Sequence, residues 1–192
     1  MGGTVLADTA GVNRTGGYAD KRIQYDAPGA VLELSGALKW LWRREGIPEV
    51  IVCIGTDRST GDALGPVVGT NLSLARLHPI RILGTLEEPV HAANLADVIR
   101  SYPSLLTSRV LAIDASLGKL TDVGNITASF GPLRPGAGVN KQLPAVGRYH
   151  LTGTVNVGGF MEFFVLQNTR LNLVMKMASC ISEAFVHSLG LG

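Results

Sequence analysis

The sequence predicts an α/β protein: a three-layer, doubly wound and mostly parallel sheet with helices on both faces. Three observations predict it. Short apolar, β-branched runs at residues 49–54, 80–83 and 109–114 alternate with segments whose apolar residues recur at helical spacing. After Glu49 the first of these runs is apolar throughout, the pattern of a strand covered on both faces. The connections between runs are long enough for crossover helices, which makes the strands parallel neighbours joined with a right-handed sense.

The elements follow in order. Residues 1–25 are rich in Gly, Thr and Ala without sustained periodicity, and a flexible N-terminal tail is expected there. Residues 26–192 are then of a size for a single α/β domain. Asp26 is placed to cap a helix with Pro28 in its first turn, and Val31, Leu34, Leu38, Leu41 and Trp42 form one apolar stripe. Gly46 and Pro48 stop that helix. The run 49–54 ends at Gly55, and a polar loop carries Asp57, Arg58, Ser59, Thr60, Gly61 and Asp62. A helix begins within 62–66, because proline is tolerated in a first turn, and its stripe runs through Val67, Val68 and Leu72. After the run 80–83, residues 91–102 read as a helix ended by Pro103, and the run 109–114 ends on Asp114. Residues 125–130 alternate as a strand does, and 149–155 suggest another, the late strands forming an edge of the sheet. Between them lies a Pro/Gly-rich loop, 131–147, with Arg134 and Lys141 in it, of a length that is more often functional than idle. Gly158 and Gly159 open a helical region with a stripe through Leu171, Val174, Met175, Ala178, Ile181 and Phe185, and Met161, Met175 and Met177 read as core fillers.

Composition removes several classes of function. A net charge of +2 with 46% hydrophobic residues argues against disorder and makes no electrostatic case for nucleic acid. No apolar run reaches the length of a membrane span, and the N-terminus lacks a basic-then-apolar signal pattern, so no membrane association and a cytoplasmic location are expected. Cys53 and Cys180 read as buried thiols of a reducing compartment. Gly55, Gly61 and Gly65 do not have dinucleotide-binding spacing, and there is no Gly-Lys-Ser/Thr phosphate loop. His78, His91, His150 and His187 show no metal-ligand spacing, so neither a cofactor nor a resident metal is expected.

The chemistry is expected where an open parallel sheet reverses its winding, beyond the carboxyl ends of its strands. With the run 109–114 beside 49–54 on the side away from 80–83, Asp62, Asp57 and Asp114 converge on that crevice. Two carboxylates brought close cannot both ionise easily; one keeps its proton, and the pair can activate water and donate a proton. Each residue also has a plainer reading. Asp62 fits a helix N-cap, and Asp57 fits a turn former or partner of Arg58. Asp114, ending a buried strand, is costly unless paired or used. Ser59 and Ser116 lie in no nucleophile-elbow pattern. His150 is placed near the site by its position beside the long loop.

The motifs carry a resemblance. Ile54-Gly-Thr-Asp57 and Thr60-Gly-Asp-Ala-Leu-Gly-Pro66, together with Ala112-Ile-Asp-Ala115, resemble the germination protease of spore-forming bacteria. Arg134-Pro-Gly-Ala-Gly-Val139 is similar to that family's Pro-Gly-Ser-Gly-Val, and residues 30–190 as a whole resemble the short YyaC-type sporulation proteases. A more distant likeness is to hydrogenase maturation endopeptidases, although Thr154-Val-Asn156 stands where those proteins carry a nickel-binding histidine. The resemblance implies a phosphorylase/hydrolase-like fold. It also implies an endopeptidase of sporulating bacteria acting on a protein or peptide substrate, with Asp62 and Asp114 as an atypical aspartate dyad. Asp57, Gly61, Arg134 and His150 are the expected substrate contacts, and a homo-oligomer stays open. Two other functions remain at this stage: a catalytically silent protein that holds a peptide or partner in the crevice, and a metal-dependent hydrolase with Asp57, Asp62 and Asp114 as oxygen ligands.

Overall fold

The computed structural model describes residues 19–106, 108–135 and 143–191. In chain order its principal elements are β1 (Lys21–Gln24), α1 (Ala30–Glu45), β2 (Val50–Cys53), α2 (Leu64–Leu74), β3 (Arg81–Leu83), α3 (Leu95–Ser101), β4 (Val110–Gly118), β5 (Asn125–Phe130), β6 (Tyr149–Val157), α4 (Glu162–Gln167) and α5 (Leu171–Ser188). One turn of 3-10 helix, Gly61–Ala63, leads directly into α2. The strands form one sheet in the order β1-β5-β6-β4-β2-β3. Strands β3, β2, β4 and β6 are parallel neighbours, and β5 and β1 close the other side in antiparallel pairing.

Both faces of the sheet are covered, as the unbroken apolar run of β2 requires. Ile51, Cys53, Leu111 and Ile113 point toward α1, α2 and α5, where they meet Leu34, Leu38, Val68, Leu72, Ile181 and Phe185. Val50, Val52, Val110 and Ala112 point the other way, toward Leu95 of α3 and Leu105, Leu133 and Val146 of the connecting segments. Alternate side chains of one strand thus anchor opposite layers, which makes the arrangement α/β in three layers.

Helix α1 starts later than its sequence suggests. Gly29, at φ +80°, precedes the first helical residue and no side chain caps it, so Asp26 is exposed and serves as no cap. Its buried face is the expected stripe, and the Trp42 indole N–H donates to Ser188 Oγ at 3.2 Å while the ring meets Phe185. Gly36 lies on the exposed side of this helix, and a Cβ there would meet nothing within 4 Å. Gly36→Ala is therefore expected to raise stability by about 0.5–1 kcal/mol, through the smaller entropy lost on folding, with thermal unfolding as the check.

Three expectations need correction. Lys21–Gln24 falls within the stretch read as a tail, yet it is edge strand β1, pairing with β5 and burying Ile23. A four-residue strand with Lys21 and Arg22 outward carries too little apolar signal to be read, and charge is how edge strands avoid further pairing. The rest of that stretch, 1–18, lies outside the described residues. The late strands are not the edge: β6 is interior, between β4 and β5. Met161 and Met175 are 57% and 44% exposed, and only Met177 is buried core.

Candidate active site

The winding reverses between β2 and β4. From β2 the chain passes outward through α2 to β3, then returns through α3 to β4 on the other side of β2. Beyond the carboxyl ends of β2 and β4 opens a cleft of about 720 Å³, and both Asp62 and Asp114 line it.

Asp114 reaches the cleft because its two neighbouring strands differ in length. The pairing of β2 with β4 stops at Cys53 opposite Ile113, so Asp114 is the first residue of β4 with β6 on one side and no β2 partner on the other. Strand β4 does not end there, as the sequence suggested, but continues with β6 to Gly118. Asp114 is only 8% exposed, and the Ala115 N–H donates to its Oδ1 at 2.8 Å.

Asp62 arrives from the loop after β2, which two glycines press against the strand. A Cβ on Gly55, at φ +142°, would lie 1.9 Å from the Asp62 carbonyl oxygen, and one on Gly65 would lie 2.1 Å from the Ile54 oxygen. Only glycine allows backbones this close. The loop is closed by the Thr56 N–H donating to the Asp62 carbonyl at 3.2 Å, while the Gly55 N–H donates to Val90 at 2.8 Å. Asp62 makes no side-chain cap to the following helix.

The electrostatics separate the two carboxyls. Burial raises Asp114 well above the ordinary carboxylate range, and the nearby Asp62 charge raises it further against the opposing Ala115 hydrogen bond. Burial also raises Asp62, but the Thr56 main chain and the His91 imidazole both favour its ionised form. The His91 main-chain N–H donates to Asn94 Oδ1 at 2.8 Å, and its Nδ1 accepts from the Ala93 N–H at 3.2 Å. The protonated form is thus favoured more strongly at Asp114 than at Asp62.

The other walls come from distant segments. Leu133, Arg134 and Pro135 form one side, their strand-like pairing fixed by reciprocal 2.8 Å hydrogen bonds between Leu133 and Val146. Residues 136–142 of that loop, with Lys141, lie outside the described residues. Glu162, Phe163 and Leu166 of α4 form another side. Phe163, well exposed where it lines the cleft, gives it an aromatic lip, and Phe160 and Phe164 are exposed nearby in sequence.

Of the expected contacts, Arg134 lines the cleft, whereas Asp57, Gly61 and His150 do not. Asp57 is exposed on the loop, so the trio Asp57, Asp62 and Asp114 is not gathered. Among the described residues no three His, Cys, Asp or Glu side chains converge to hold a metal ion. Gly61 is buried against α4, where a Cβ would come within 2.8 Å of Thr169 Oγ1 and 2.9 Å of Leu166. The His150 Nδ1–H donates to the Gly131 carbonyl at 2.9 Å, and burial lowers its pKa, opposed by that hydrogen bond and by Asp20. The sequence reading named His91, Ser59 and the helical region after Gly159 but assigned none of them to the site. None lies at a spacing that periodicity could flag, and an exposed aromatic reads in sequence like a core residue.

Comparison with known proteins covers this whole region. A family model described as "Protein of unknown function (DUF1256)" matches residues 22–184. The chain is also similar to the "Uncharacterized protein YyaC" of Bacillus subtilis (strain 168), with 50% identity over 173 residues, spanning 90% of this chain and 80% of that protein.

Proposed function

This chain belongs to the DUF1256 family, and on that premise we propose that it is an endopeptidase of sporulating bacteria, working on a protein substrate through an aspartate dyad. One observation carries the reading: two carboxyls far apart in sequence line one cleft, and the charge of Asp62 raises the pKa of Asp114. The motif likeness to the germination protease supplies the sporulation context and the class of substrate.

The two environments assign the roles. Asp62, whose pKa is raised less than that of Asp114, takes a proton from water as the water oxygen adds to the scissile carbonyl carbon. Asp114 gives its proton to the carbonyl oxygen, leaving a tetrahedral diol. On collapse the C–N bond breaks, Asp62 passes its proton to the leaving nitrogen, and a diol hydroxyl returns a proton to Asp114. Both carboxyls end as they began, and one water is consumed. General acid and base work by groups held this way contributes about 10²–10⁴-fold each. Arg134, at the mouth, offers guanidinium donors to substrate carbonyls.

The test is direct. Purified protein is incubated with unfolded casein and with proteins extracted from spores, and new termini are sought by mass spectrometry. Discrete internal cuts are expected. Uncut substrates throughout would sink the peptidase reading and leave a cleft with an aromatic lip that holds a polypeptide without cleaving it.

His91 supplies a second check. Since its imidazole favours ionised Asp62, His91→Gln is expected to move the acidic limb of the pH–rate profile to higher pH. An unmoved limb would separate His91 from the dyad.

A further inference from the structure

Ser59 is 7% exposed, and its Oγ is the one buried side-chain oxygen or nitrogen among the described residues without a hydrogen-bond partner. It stands three residues before Asp62 in the same loop, on the wall of the same cleft. Other hydroxyls among the described residues have partners. Ser182 donates to Ala178, Ser188 to Phe185 and Thr169 to Val165, while Ser116 and Thr154 pair across strands. A buried hydroxyl left unpaired destabilises the fold, a cost that alanine at this position would avoid.

We propose that Ser59 is a substrate-contact residue. Its hydroxyl stays unpaired in the free protein and turns about χ1 to hydrogen-bond the main-chain amide of a polypeptide lying over Asp62 and Asp114. A serine hydroxyl both donates and accepts, so it can meet either the carbonyl or the N–H of that amide, and staggered rotamers give it the turn. The cost of the unpaired hydroxyl is carried by the empty site and relieved in the occupied one, which adds to the affinity for substrate. The contact rests on the peptidase reading and adds to it a group that recognises peptide backbone and not a particular side chain.

The experiment compares wild type, Ser59→Ala and the inactive control Asp62→Asn, measuring thermal unfolding of each free protein and kcat and KM on a casein peptide that wild type cleaves. For Ser59→Ala the expected result is an unchanged or raised Tm together with a fall in kcat/KM of about 10–100-fold, the loss of one hydrogen bond to a bound group. A lowered Tm would overturn the proposal, because the hydroxyl would then have a partner in the free protein. So would turnover equal to wild type at any Tm. A wild type that cleaves no polypeptide removes the peptidase reading and this contact together, and is distinguished from the other two failures by the inactivity of the parent itself.

Discussion

Asp62→Asn, Asp114→Asn and the double variant are expected to lose peptide hydrolysis to about the same extent, roughly 10³-fold or more each. Members of a cooperating pair are not additive, so removing one costs nearly what removing both costs. Asparagine keeps the shape of each side chain but can neither take a proton from water nor give one to the carbonyl oxygen. Stability should move the other way. Burial raises Asp114 above its unfolded value, so across the interval between the two the folded chain binds more protons than the unfolded chain. Its contribution is therefore fully favourable at pH below the ordinary carboxylate range and is lost as pH rises toward the folded value. At pH 7, Asp114→Asn should be more stable than wild type, with the Ala115 N–H still bonded to an amide oxygen. Unfolding followed against pH checks the sign. A wild-type protein that gains stability as pH rises from 4 to 7, with Asp114→Asn flat over the same range, would contradict the buried, protonated carboxyl on which the roles depend.

Gly55→Ala is expected to be the most damaging small substitution near the site, costing about 3 kcal/mol or more from backbone strain and overlap. The residue sits at φ +142°, where an L side chain is strained, and its Cβ would fall 1.9 Å from the Asp62 oxygen and 3.0 Å from Pro66 Cδ. Something must shift, and the neighbour that shifts is the segment holding Asp62. The variant should thus lose activity as well as stability, with a Tm lower by about 10 °C for a chain of this size. Gly36→Ala, on the open face of α1, is the control that separates this close approach from a general intolerance of alanine. A Gly55→Ala protein with the melting behaviour of wild type would mean that the loop can relax away from β2.

Much of the architecture was legible because it rests on local pattern. The apolar run before Gly55 had to be covered on both sides, and the stripe of α1 had to face a core. Long connections between short strands had to make parallel neighbours, and that topology alone put Asp62 and Asp114 at one reversal of winding. Strand β1 was not legible, since a charged edge strand is defined by its partner β5 and not by its own four residues. The Asp62 and Asp114 side chains could be named from sequence, but their neighbours could not. Only the folded chain brings His91 beside Asp62, sets Ser59 unpaired in the cleft wall, turns Phe163 outward as its lip, and leaves Asp57 in solvent and His150 bonded to Gly131. The physical reason is that periodicity records which face of its own element a residue occupies, whereas the state of a carboxyl is set by burial and by charges from segments remote in sequence. The order of β3, β2 and β4 was therefore written in the chain, whereas the place of β1 and β6 in the sheet and the surroundings that raise Asp114 more than Asp62 were decided by what the fold packed together.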